Sequence, residues 1–508
     1  MARRPFRALR DRPPKPRYDV VVVGAGIGGL LCANLLVKAG LSVLLVEQHY
    51  MVGGFCSTFR RAGFTFDAST HFYPLLGNRK TLPGKLLADL GVETEWVKMD
   101  PVDTFHFPDG SRFAVPCELS DYLAAVKARF PHQAEALDRF FAAVREAYLV
   151  GLLAYFRNRE SPRFPALRDL TLRDVLTRFF DDERLRLLLT ADCPHWGSPP
   201  SRISFLFDSM LRLSYFLGNY YPVGGSQAFA DGLAHCFEER GGDILMSTRV
   251  DRILVEDGAA VGVDGETDRG TLAGRHRVLA GAVVCNADLR LALSTLLPPG
   301  TVPAAETARA AGLRPSWPCY LTHVGLSGID AATLEEAQGY HWQRWDADEL
   351  GDRDDFRNGA LRCKVFVPTL YEPAMAPPGK QIIILQKVMP VDYARIADWP
   401  AHKQQVQDFM LAQLERAIPG ISRHVEVATT ATAHTAWRFT LNEEGAMLGW
   451  EMAPDQLGDA RPGLQGAVRN LVFTGHWVQP GGGITPVIVS AIHAAEAVAG
   501  KQLAERVL

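Results

Sequence analysis

The 508-residue sequence predicts an α/β protein, with a parallel nucleotide-binding sheet gathered from three separated stretches and a mixed α+β domain, rich in apolar helices, inserted between them. Three observations carry this. The apolar run at 20–23 enters Gly24-Ala25-Gly26-Ile27-Gly28-Gly29 and then an apolar helix pattern. A second alternation of strands and helix begins at Pro222-Val223-Gly224-Gly225. A third apolar strand, Leu471–Thr474, precedes a glycine loop at 481–483 and a terminal helix. The nucleotide-binding domain therefore takes 18–90, 222–300 and 430–508, and the inserted domain takes 91–221 and 301–429. Apolar residues make up 47% and charged residues 22%, a balance ordinary for a soluble globular chain with room for a large core.

In the first segment the order is strand, glycine turn, helix, second strand, acid. Gly24 lets the chain turn out of the strand, Gly26 lets backbone approach a pyrophosphate, and Gly29 lets helix and sheet pack closely. Gly28 belongs to the same turn, and the helix that follows points its N-terminal N–H groups at the phosphates. Glu47 ends the second strand, 23 residues after Gly24, where a carboxylate accepts from ribose hydroxyls and would repel a 2′-phosphate. Together these features make a Rossmann-type dinucleotide grip, followed by Gln48 and a second glycine pair, Gly53-Gly54.

In the second segment, a helix over Ala228–Arg240 stops at Gly241-Gly242. The strand Asp243–Met246 follows, then a hairpin of Val250–Glu256 and Ala260–Val263 about Asp257-Gly258, then a buried strand Val278–Asn286. The third segment's helix starts near Thr485. The first insertion carries two large apolar stripes, Phe140–Phe156 and Ser204–Tyr221. Each alone reads as helix core; two in one insertion suggest an apolar substrate tunnel or a membrane-facing surface. The second insertion has β-rich pieces at Cys319–Val324, Arg362–Val367 and Gln381–Val388, expected to form a separate sheet roofing the cofactor.

The net charge of −3 hides an asymmetry: residues 1–17 hold seven basic residues against Asp11, a net of +6, leaving −9 elsewhere. This Pro-rich stretch is expected to be a disordered tail, either simply solvated or an electrostatic tether to anionic lipid. Nothing accompanies it that would suit nucleic acid, and none is expected as a partner. The eight cysteines show no CxxC and no metal-type pairing with histidine, so neither a metal site nor a disulfide framework is expected. Cys32 and Cys285 fall in apolar runs and read as core, which suits a reducing cytoplasm. The uncharged runs Val20–Val37 and Leu471–Ala495 contain glycine clusters and read as strand, turn and helix rather than membrane spans.

The wording Glu47-Gln48-His49, Gly53-Gly54-Phe55-Cys56-Ser57-Thr58-Phe59 and Gly63-Phe64-Thr65-Phe66-Asp67 resembles the carotenoid desaturase, carotenoid isomerase and retinol saturase family of flavoproteins. So do Tyr221-Pro222-Val223-Gly224-Gly225, Thr248-Arg249-Val250, Arg438-Phe439-Thr440, Gly475-His476 and Pro480-Gly481-Gly482-Gly483-Ile484. The resemblance spans nearly the whole chain. It implies FAD as cofactor, with Val250 presenting backbone groups to the adenine and Gly475, His476, Gly483 and Ile484 approaching the ribityl and ring. Relatives often carry Gly-Asp where this chain has Gly475-His476, and amine-oxidase-like relatives carry Arg where it has Phe55.

The activity implied is desaturation of a long apolar polyene or carotenoid: a hydride passes to flavin N5, a proton leaves the neighbouring carbon, and a C=C bond forms. A redox-neutral cis–trans isomerase using reduced FAD, or a saturase adding two hydrogens, would need the same tunnel. An amine oxidase and a non-catalytic polyene carrier are further alternatives. Asp67 and His71 are candidates for the proton step, or else a turn-orienting carboxylate and a packed imidazole. Arg438 is a candidate to steady charge on reduced flavin, or else an ion-pair partner. The expected location is cytoplasmic, at a membrane surface; no electron acceptor is indicated.

Overall fold

The computed structural model describes residues 6–9, 12–157, 161–351 and 355–500. Its first sheet has seven strands, and the first strand, Arg17–Val23, lies inside it. That strand pairs in parallel with Val43–Val46 on one side and Gly274–Cys285 on the other. Asp243–Leu245 extends the sheet beyond Val43–Val46. The long strand Gly274–Cys285 serves two neighbours in turn. Its first half runs antiparallel to Ala259–Thr267, and its end pairs in parallel with Leu471–Phe473. One sheet thus draws strands from all three stretches that the glycine and strand patterns single out.

The strands are continuously apolar because both faces are covered. Val20 and Val22 share one cluster with the helices Ile27–Lys38, Gly225–Glu239 and Ile484–Ala499, while Val21 and Val23 face a second cluster containing Leu293, Trp450 and Trp477. Cys32 and Cys285 are fully buried here. The second-segment helix begins three residues earlier than its apolar pattern suggests, because Gly224, at φ +85°, turns the chain directly into it. Both long uncharged runs are strand, turn and helix, and among the described residues no helix is long and apolar enough to cross a membrane.

The second sheet mixes the two insertions. Its order is Val425–Ala431, Cys319–Ser327, Lys380–Val388, Leu361–Phe366, Gly339–Trp342, Asp103–His106 and Arg112–Val115. Only Gly339–Trp342 with Asp103–His106, where the insertions meet, is a parallel pair. Beside this sheet the helices Ala134–Arg157 and Phe205–Phe216 pack on each other. The stripe Ser204–Tyr221 is not one helix. Ser204 caps it, accepting from the Leu206 N–H at 3.2 Å, and after Gly218 the chain straightens into a strand, Tyr220–Pro222, paired with Trp96–Lys98.

The basic stretch 1–17 departs from its expectation as a disordered tail. Over its described residues it lies on the first sheet: Phe6 and Ala8 pack against the helix-side core, and the Leu9 N–H donates to the Ile244 carbonyl at 2.7 Å. Asp243 accepts from Arg12 at 2.5 Å and from the Tyr18 hydroxyl at 2.7 Å. Two apolar side chains and one acid at the sheet edge hold what composition alone assigns to solvent. Residues 1–5, 10 and 11 lie outside the described residues.

A Cβ on Gly29 would stand 2.0 Å from the Gly24 carbonyl oxygen, whereas one on Gly312 would meet nothing within 4 Å. Gly29→Ala is expected to cost about 3 kcal/mol or more and to release the cofactor. Gly312→Ala, at the end of Ala304–Gly312, should change stability by no more than about 1 kcal/mol. Thermal melts with bound-chromophore content measure both; equal melting temperatures would contradict the close crossing at Gly29.

Candidate functional site

Where the parallel strands end, a cavity of about 630 Å³ opens. Gly24, Gly26 and Gly28 line it from the first turn, Glu47 and Gln48 from the end of the second strand, and Gly53 and Gly54 from the next loop. Val250 lines it from the hairpin, and Gly475, His476, Gly483 and Ile484 from the C-terminal segment. Of the expected cofactor residues only Gly29 does not face it, since Gly29 lies against the Gly24 carbonyl instead.

Backbone holds these pieces together. The Gly53 N–H donates to the Ala25 carbonyl at 2.8 Å, so the second glycine pair is laid beside the first turn. Glu47 is buried; its carboxylate accepts from Ala25 N–H at 2.7 Å and His49 N–H at 2.8 Å. Burial pushes this carboxyl up, against the pull of those N–H groups. Asn286, which follows the strand Gly274–Cys285, sits at the centre: added Cβ atoms on Gly28 and Gly475 would lie 2.7 and 2.5 Å from its Oδ1. Sequence reasoning passed over Asn286. The available signal was a polar residue closing a buried parallel strand, at the strand end where such sheets bind ligands.

These residues fit a dinucleotide. The helices Ile27–Lys38 and Ile484–Ala499 both start at the cavity behind a glycine N-cap with no side-chain cap bond, leaving first-turn N–H groups for an anion. Thr485, in the first turn of the latter, lines the cavity and its buried hydroxyl has no partner among the described residues. No side chain beyond Cα fills the wall at Gly24, Gly26, Gly28, Gly53 and Gly54.

The remaining candidates separate. His71 lines the cavity: its Nδ1 meets the Ser69 carbonyl at 2.8 Å and its Nε2 meets the Gln386 amide at 2.9 Å. Burial, aided by the charge of Lys364, pulls its pKa down to about 3, so the ring is neutral. His476 is likewise pulled down to about 3, by burial and then Arg461, which donates to the His476 carbonyl at 2.8 Å. Asp67 is not among the lining residues. It accepts from the Tyr221 hydroxyl and, at 2.8 Å, from Ser226 N–H, tying the hairpin Thr58–Asp67 to the start of Gly225–Glu239. Arg438 also stands off the lining, while Phe439, Thr440, Leu441 and Asn442 beside it reach it.

A polar cluster on the second-sheet side went unread in the sequence. Lys364, fully buried, donates to Asp103 at 2.7 Å and lies 3.3 Å from His195 Nε2, with its Nζ 3.8 and 4.4 Å from the ring centres of Phe72 and Tyr340. A lysine in a β-rich run reads as solvent-facing; only the layering of helices over this sheet encloses it.

The profile of the flavin-containing amine oxidoreductase family matches residues 27–499. The all-trans-zeta-carotene desaturase of Myxococcus xanthus is 30% identical over 94% of this chain and 92% of its own. The chloroplastic prolycopene isomerase of Daucus carota is 25% identical over 95% of this chain and 80% of its own. A solved putrescine oxidase double mutant superposes with a TM-score of 0.66 at 16% identity, over 97% of this chain and 100% of its own; at that identity the likeness is one of fold.

A free imidazole titrates near ~6.5, whereas His71 and His476 in the fold stay neutral to about 3. Between those values the unfolded chain binds more protons, so stability falls as pH drops below ~6.5. The melting temperature should fall from pH 7 to 5, and His71→Gln should remove about 1 kcal/mol per pH unit of that slope. Melts across this range measure it; identical slopes in both proteins would contradict a buried neutral His71.

Proposed function

The chain belongs to the flavin-containing amine oxidoreductase family, and from that premise we propose that it is a polyene oxidoreductase of the carotenoid desaturase type. It is an enzyme and its cofactor is FAD. In this reading 18–90, 222–300 and 430–508 form the FAD domain, and 91–221 with 301–429 form the substrate domain. The carrying observation is that one cavity joins the glycine turns to an apolar wall: Tyr148, Leu152 and Phe156 from Ala134–Arg157, and Phe207, Met210 and Leu211 from Phe205–Phe216. A charged amine finds little counter-charge along that wall; a long hydrocarbon finds contact throughout.

Desaturation removes a hydride and a proton from adjacent carbons, and FAD, when bound, supplies the two-electron acceptor. The chain's part is to hold the polyene in register and keep water out, which the two helices do by contact area. His71 is the proposed proton-handling group that reaches the cavity, with a neutral ring fixed between the Ser69 carbonyl and Gln386. Asp67 acts through the Tyr221–Ser226 anchor that positions the Gly225–Glu239 helix, and Arg438 through the loop after it.

The near full-length relative named as a prolycopene isomerase supports a second reading, redox-neutral isomerisation. Product mass after incubation with a poly-cis carotene separates the readings. Two mass units lighter per new double bond supports desaturation, no change supports isomerisation, and two units heavier a saturase. An unchanged substrate, with neither mass nor geometry altered, contradicts both proposed readings.

The substrate is delivered from a membrane surface in this reading. Leu149 and Leu153, one helical turn apart on the helix that supplies Tyr148 and Leu152, are 61% and 45% exposed, and Leu217 beyond Phe205–Phe216 is 44% exposed. Flotation with anionic liposomes tests this. Replacing Leu149 and Leu153 together by Ser should weaken binding about tenfold or more, since each buried leucine contributes roughly 1.5–3 kcal/mol. Unchanged flotation would contradict it.

A further inference from the structure

Arg461 is fully buried, and among the described residues no carboxylate pairs with it. Its guanidinium donates instead to backbone carbonyls, His476 at 2.8 Å, Trp450 at 3.1 Å and Val478 at 3.3 Å among them. Arg212, also buried, is paired with Asp208 at 2.9 Å. Carbonyls satisfy donors but bring no net charge, so Arg461 keeps a desolvated cation without counter-charge, a costly arrangement. Burial pulls its pKa down to about 10, which still leaves it charged at neutral pH. Only glycine backbone parts it from the cavity: a Cβ on Gly481 would stand 3.2 Å from the Arg461 Cζ, and the next two residues, Gly482 and Gly483, line the wall. Its charge acts on two lining residues, His476 and Tyr155. Tyr155 and, two residues past Gly483, Thr485 each bring a buried hydroxyl with no partner among the described residues. The two carboxylates on the lining, Glu47 and Asp251, belong to the second-strand end and the hairpin instead.

We infer that Arg461 is the counter-charge for bound FAD in its reduced form and sets how readily the flavin takes up electrons. A hydride carries two electrons and one proton, so its transfer adds one negative charge to the flavin, while the second hydrogen leaves the neighbouring substrate carbon as a proton. With the adenosine end held at Glu47 and Val250, the other end of the dinucleotide falls toward His476 and Gly483, in front of Arg461. The guanidinium acts there across a dry backbone wall, without touching the ring, where a fixed charge is felt more strongly than in water. Arg438 is exposed and off the lining, so solvent screens it from this role. The inference goes beyond the polyene reading, because desaturation, which reduces the flavin, and isomerisation on reduced flavin both need that charge held.

Anaerobic reductive titration of the flavin-loaded protein against a reference dye measures the potential directly. No polyene is present, so failure here leaves the polyene reading standing. Arg461→Gln should make reduction about tenfold less favourable, a fall of about 30 mV for a two-electron couple. Arg461→Lys, which keeps the charge and loses most of the carbonyl contacts, should stay near the parent. Equal potentials in the parent and the glutamine variant overturn the inference. A lysine variant that falls as far as the glutamine variant overturns it too, since that is the mark of a lost backbone clamp. Should the glutamine variant fail to fold or to hold FAD, the pH dependence of the parent decides. From about pH 5.5 to 6.5 its potential should fall by about 30 mV per unit, as one proton enters with two electrons. A slope of about 60 mV per unit means that two protons enter and the reduced flavin is neutral, which overturns the inference.

Discussion

The close crossing of backbone at the first glycine turn is the constraint on which the rest depends. Gly29 passes the Gly24 carbonyl with no space for a side chain, and Asn286 fills the space between Gly24, Gly28 and Gly475. Because the crossing is made of backbone, the helix Ile27–Lys38 starts at the strand end and presents its N-terminus there. The same contact draws in the two distant segments: Asn286 closes the strand Gly274–Cys285, and Gly475 follows Leu471–Phe473 in the same sheet. Three stretches of chain therefore meet at one point because a single strand, Gly274–Cys285, pairs with both of the others.

The second sheet exists to put a different kind of wall opposite that point. It joins the two insertions through the parallel pair of Gly339–Trp342 with Asp103–His106, and its inner face meets the cavity at Tyr340, Gln386 and Val388. Helices Ala134–Arg157 and Phe205–Phe216 complete the enclosure with apolar side chains. Enclosure then sets the electrostatics. His71 and His476 are held neutral and Glu47 is pushed up, all first of all by burial; Arg249 and Asp251 bring charge to the cavity beside Val250, and behind the second-sheet wall Lys364 is paired with Asp103.

Much of the cofactor wall was legible in the sequence because glycine spacing, an acid at a strand end and a hydrophobic run are local patterns. Gly24, Glu47, Gly53 and Gly475 report on their own backbone. Asn286 was not legible: its role comes from contact with Gly24, 262 residues away in sequence, and with the distant C-terminal segment at Gly475. Asp67 was left between two roles for the opposite reason. A carboxylate near a glycine pair suggests chemistry, whereas its partners, Tyr221 and Ser226, are set by the packing of a helix the local pattern cannot see. Lys364 and His195 belong to an inner face that looks like an outer one until a helical layer covers it. The described part of 1–17 shows the same limit, since composition could not reveal that Asp243 waits at the sheet edge.

The central claim is that the glycine-gripped flavin and the polyene share one cavity and exchange electrons there. Anaerobic mixing of the oxidised, flavin-loaded protein with an acyclic carotene, followed by visible absorbance, tests it most directly. The flavin band should bleach in step with lengthening of the polyene chromophore. A flavin that stays oxidised with every polyene tried, yet bleaches with a primary amine, would contradict it.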